Sequence, residues 1–138
     1  MFKIYTHPAC LRHDTGPGHP ERAGRLETLL GLFNEMDIET APAREAEMEE
    51  LLRAHPQKYI DAVQDEIPDH GHAYLDADTV VSPGSWDEAL HAAGAVCQAV
   101  DDVLSNKTTR AFCAVRPPGH HAMPDNPEGF CIFANVSI

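Results

Sequence analysis

The sequence predicts an α/β protein built on a parallel sheet. Three strand-like runs, FKIYT (2–6), IETA (38–41) and AFCAV (111–115), are separated by longer helical stretches. AFCAV is a continuous apolar run with an aromatic, the pattern of a strand buried on both faces. Long loops rich in Pro, Gly, His and Asp follow the first and last runs, where a parallel sheet binds its ligands.

FKIYT alternates weakly and holds two aromatics, as a short strand does. The loop HPACLRHDTGPGHPE follows, long and without periodicity. Pro20 suits a first helical turn and Glu21 complements the dipole there. Ala23, Leu26, Leu30 and Phe33 then recur at three and four, an amphipathic stripe. A second helix fits Glu45 to Ala54, with Met48, Leu51 and Leu52 inward. Pro56 opens a third, with Tyr59, Ile60, Val63 and Ile67 on one side, and Pro68 ends it.

Residues 69–84 read as a loop. Ser85 and Glu88 then have the spacing of a capping box. The helix that follows carries apolar residues at 86, 90, 93, 97, 100 and 104, the most regular stripe in the chain, with Asn106 as its end. His91 falls on its polar side. CIFANVSI after the third long loop is a further apolar segment, with the first turns of a last helix expected to start near FANVSI.

Charge and hydropathy narrow the function. Ten basic residues face 22 acidic ones, giving a net charge of −12. That balance argues against nucleic acid and against a polybasic membrane surface. No apolar run approaches the roughly 20 residues of a spanning helix. The N-terminus MFKIYTHPAC has no apolar signal core. Cys10, Cys97, Cys113 and Cys131 are too widely spaced for a Cys-x-x-Cys motif and read as free thiols, which implies a reducing, cytoplasmic setting.

Five of the nine histidines, at 7, 13, 19, 120 and 121, lie in the two loops of the predicted ligand edge. Arg116-Pro117-Pro118-Gly119-His120-His121-Ala122 is the most informative stretch. Two prolines stiffen the chain after a buried strand, and Gly119 lets it turn. Histidine titrates near neutrality, and an adjacent pair can split acid and base roles. Elsewhere, His70-Gly71-His72 has a metal-like spacing but too few ligands, and reads as a solvated loop.

RPPGHHA, followed by Glu128-Gly129-Phe130-Cys131, closely resembles the active-site segment of the histone deacetylase superfamily. That superfamily includes acetylpolyamine amidohydrolases and acetoin-utilization proteins. HPACLRHDTGPGHPERAGRL resembles the opening of bacterial members related to class II deacetylases. AHPQKYIDAV and DADTVVSPGSWDEALHAAGA resemble their next segments, in the same order. The resemblance implies an arginase/deacetylase-like fold and hydrolysis of an N-acetyl-lysine or acetylpolyamine by metal-activated water.

By the same resemblance His121 is the general base and then acid, and His120 tunes the charge beside it. Gly129 and Phe130 match a substrate tunnel, and Cys131 matches a thiol beside the centre. Arg22 matches an inner-channel arginine that lets acetate leave; its alternative is a surface ion pair on a helix. Asp76 or Asp78 matches a rim aspartate that binds the substrate backbone, and a turn aspartate fits either one equally well.

The family holds a divalent metal, usually zinc, with two aspartates and a histidine, two of them in an Asp-x-His motif after Gly-Phe-Cys. No aspartate here has histidine two positions on. The expectation is that residues 1–138 are the N-terminal portion of one domain, cut before its metal ligands and inactive alone. Ala134-Asn135 stands where the family has Asn-Asn. The alternative reading is a truncated non-catalytic chain, at most a binding or assembly module. A strand wanting two neighbours in a chain with few strands also predicts association, such as a homo-oligomer.

Overall fold

The computed structural model describes residues 1–138. Its centre is β1 (Phe2–Thr6), flanked by β2 (Ala41–Pro42) and β5 (Arg110–Cys113). Both pairings are parallel; Phe2 lies opposite Arg110, and Tyr5 opposite both Cys113 and Ala41. The α/β class with a parallel sheet is therefore observed. The IETA run contributes only its last residue, Ala41, and the strand runs on into Pro42.

Alternation along β1 sends neighbouring side chains into different cores. Ile4 packs with Cys10, Leu26, Phe33 and Ala114, beneath α1 (Ala23–Glu35). Tyr5 packs with Ala43, Ala95 and Ala99, beneath α4 (Ser85–Leu104). Its hydroxyl donates to Asp102 at 2.6 Å, and Lys3 and Lys107 also reach that carboxylate, which is held down at about 2.

A third core joins α3 (Gln57–Asp65), α4 and the segment around Phe133. It also takes Leu51 of α2 (Met48–Leu51) and Val81 of β4 (Val80–Val81). β4 pairs antiparallel with β3 (Ala73–Tyr74). This hairpin lies in the stretch expected to be loop, and two-residue strands carry too little alternation to be read.

Four further expectations are corrected. The helix expected over 45–54 is a single turn, where Arg44 grips Glu50 at 2.7 and 2.8 Å and Glu50 accepts the Glu47 N–H. The Ser85–Glu88 capping box does not form: Gly84 is the N-cap, and Ser85 Oγ instead accepts the Ser82 N–H at 2.8 Å.

The inward stripe on α4 is also different. The helix lies between the sheet core and the third core, so small residues 92–95 are buried on both sides. A Cβ on Gly94 would sit 2.1 Å from the Arg44 carbonyl oxygen. Val100 and Leu104, expected inward, are 51% and 76% exposed, while His91, expected outward, is buried.

AFCAV forms a strand through Cys113 but is not covered on both faces. Phe112 is 44% exposed, and β5 has β1 as its one neighbour.

Candidate active site

The loops after β1 and β5 meet at the carboxyl edge of the sheet through a buried ion pair. Arg116 Nε donates to Glu21 Oε1 at 2.6 Å and Nη2 to Oε2 at 2.8 Å. Its Nη1 donates to the Cys10 carbonyl at 3.0 Å, so one guanidinium ties both loops together.

Behind this pair His13 is buried. Its Nδ1 lies 2.7 Å from Ser85 Oγ, and its Nε2 3.7 Å from Glu21. Burial, then the positive charge of Arg116, pushes His13 down to about 3. Glu88 lies 3.6 Å from His13 Nδ1, fully buried, with no hydrogen-bond donor to either carboxylate oxygen.

In front of the pair opens a cleft of about 500 Å³. Leu26, Leu29, Phe112 and Phe130 line its apolar part; Glu21, Arg25, Arg116, His120 and His121 supply its polar groups. The two adjacent histidine rings have centroids 4.3 Å apart and are inclined at 50°.

Their backbone is held by Cys131. The His120 and His121 N–H groups both donate to its Sγ at 3.4 Å, and its thiol lies 3.4 Å from the Gly129 carbonyl oxygen. Two glycines make room. A Cβ on Gly119 would meet Asn135 Cγ at 2.1 Å. Gly129 has φ +57°, and a Cβ there would stand 2.7 Å from the His121 ring. Phe130 follows at φ +70° with its ring against the edge of His19.

The other expected residues fall as follows. Arg22, at the N-cap of α1, and Arg25, one turn on, are both exposed, and of the two Arg25 lines the cleft. Asp76 Oδ1 accepts the N–H groups of Asp78 and Thr79, closing a turn. Asp78 is exposed; its carbonyl is engaged by His19 Nε2 at 2.8 Å. His72 pairs with Asp14 at 2.9 Å while His70 is exposed.

Sequence reasoning missed Arg25, the pairing of Arg116 with Glu21, and the buried His55; it placed His13 at the ligand edge but not in a buried position. An arginine directly after a buried strand, before two prolines, was the available signal for Arg116.

One group has ligand-like spacing for a metal: Glu45, Asp87 and His91 present atoms within 4.8 Å of one another. Asp87 already pairs with Arg12 at 2.8 Å, and His91 donates Nδ1–H to the Asp87 carbonyl. None of the three lines the cleft. The cleft itself does not fit a two-aspartate, one-histidine zinc centre. Its one carboxylate, Glu21, is committed to Arg116.

The sequence signature of the histone deacetylase domain matches residues 19–138. The chain is 36% identical to the "Histone deacetylase-like amidohydrolase" of Pseudomonas aeruginosa, over 95% of this chain and 34% of that protein. It is 32% identical to "Histone deacetylase 8" of Arabidopsis thaliana, over 98% of this chain and 41% of that protein. Among solved structures, the crystal structure of the HDA15 HD domain superposes with a TM-score of 0.90 at 27% identity, covering 98% of this chain and 40% of that one.

The chain belongs to the histone deacetylase family and has its arginase/deacetylase-like α/β fold. It spans less than half the length of each of these relatives.

Proposed function

We propose that these 138 residues are, by themselves, a non-catalytic portion of a deacetylase domain. They contribute the proton-handling histidines and the walls of the acyl-amine cleft, and not the metal. The cleft carries this reading: two neighbouring imidazoles stand at its polar end, and its one carboxylate is already consumed by an arginine. At most the chain alone binds substrate or assembles with another surface.

A second reading applies to a longer chain and is supported by the placement of the pair. Joined to the metal ligands that the family resemblance implies, it is a zinc-dependent amidohydrolase acting on acetylated lysine or an acetylated polyamine. His121 then holds and moves the proton, and His120 stabilises charge beside it. Gly129 and Phe130 wall the substrate stem, and Asp78 is the rim carboxylate that binds the substrate backbone. The cleft-lining position favours Arg25 over Arg22 as the inner arginine. Four free cysteines fit a reducing, cytoplasmic setting.

The test is turnover of an acetyl-lysine peptide by the purified chain with added zinc. The expected result is none above buffer. Turnover abolished by a chelator and by His121→Ala overturns the non-catalytic reading.

A further inference from the structure

We infer that His55 is a positioning residue for the loop that carries His120 and His121. It gains catalytic meaning only through the acid/base reading of that pair.

His55 lies just ahead of α3 and is 1% exposed. Its Nδ1 is 2.8 Å from the Pro124 carbonyl oxygen. A carbonyl only accepts, so Nδ1 carries the proton. Its Nε2 accepts the Ala134 N–H at 2.9 Å. One neutral tautomer therefore satisfies both contacts, and burial favours the same neutral form by lowering the pKa of His55.

Pro124 and Ala134 lie on the two limbs of one excursion of chain. Between them sit Phe130, which lines the cleft, and Cys131, whose Sγ receives the His120 and His121 N–H groups. His55 thus joins the two limbs at their base. Tyr59, four residues on, adds a third tie: its hydroxyl donates to the Ile132 carbonyl at 2.6 Å. Both side chains also pack on Phe133.

A side chain that merely fills space needs volume; one that positions the loop needs a donor and an acceptor in these places. His55→Phe keeps a ring and loses both bonds. His55→Gln keeps a donor and an acceptor. Two readouts on the 138-residue chain separate the cases: amide exchange at His120, His121 and Ala134, and alkylation of the buried Cys131.

In His55→Phe both rates rise about tenfold or more, since a buried hydrogen bond is lost on each limb. Exchange at Ile4 and Tyr5 in β1 stays as in the wild type. His55→Gln recovers most of the protection. Unchanged loop rates in His55→Phe overturn the inference, as does a parallel rise in β1, which means general destabilisation.

Should His55→Phe fail to fold, Tyr59→Phe removes a single tie. It then raises exchange over 131–134 alone, and no rise there counts against the inference. These readouts need no turnover. A loop that responds while an extended chain hydrolyses nothing upholds the positioning role and removes the acid/base reading.

Discussion

Arg116 and Glu21, 95 residues apart in sequence, meet through two hydrogen bonds of 2.6 and 2.8 Å in the wall of the cleft. Both side chains are less than 10% exposed. Removing one partner leaves the other charge buried and unpaired. Arg116→Ala is therefore expected to cost about 3–5 kcal/mol in urea unfolding. Arg116→Met with Glu21→Leu recovers much of that loss, because two apolar groups of similar size leave no stranded charge. A double variant as unstable as the single one contradicts this account.

Acid sensitivity follows from the buried histidines. His13 is pushed down to about 3, and burial also lowers His55 and, together with His91, His7. In each case the folded state binds fewer protons than the unfolded chain, whose histidines titrate near 6.5. Their contribution is complete above that value and is lost as pH falls toward their folded values. Carboxylates held low, such as Glu50 at about 2, begin to act only below their unfolded value of 4.5. The unfolding midpoint is thus expected to drop between pH 6.5 and 4.5, and His13→Gln to flatten that slope. A midpoint constant over this window refutes the assignment.

Glu88 is fully buried with neither oxygen given a donor. A carboxyl in that setting costs more than an apolar group of similar volume. Glu88→Leu is expected to raise the melting temperature, by the equivalent of about 1–3 kcal/mol. A lower melting temperature shows that Glu88 has a partner that stabilises it.

The β5 edge has no second strand, and Phe112 beside it is 44% exposed. Such an edge promotes pairing with another chain. Sedimentation is expected to show species larger than a monomer, or else amide exchange over Ala111–Cys113 to be fast. A monomer with a sharp melt and slow exchange there shows that the segment is self-sufficient.

Much of this was legible in the sequence, and the remainder has physical causes. α1, α3 and α4 carry apolar periodicity, and β1 and β5 the aromatic and apolar character of strands, so their existence could be read. The inward face of α4 could not, because a helix packed on two sides selects small residues instead of a stripe of large ones. Ser85 matched a capping pattern, yet its hydroxyl was claimed by Ser82 and His13, contacts set by tertiary packing. His120, His121, Gly129 and Phe130, which line the cleft, could be singled out because they fall as two adjacent pairs in motifs that resemble a known family. Arg25 and His55 could not: their partners are chosen by the folding of distant loops.

On the proposed reading, this chain supplies the proton-handling histidines of a deacetylase site and not its metal ligands. The most direct measurement compares turnover of an acetyl-lysine peptide by the 138 residues alone and by a chain extended to the length of its relatives. The account predicts none for the first and chelator-sensitive hydrolysis for the second. In the extended chain His121→Ala is expected to lower kcat/KM by about 10² to 10⁴-fold, and His120→Ala by less. Chelator-sensitive turnover by the 138 residues alone, or an extended enzyme indifferent to His121→Ala, contradicts it.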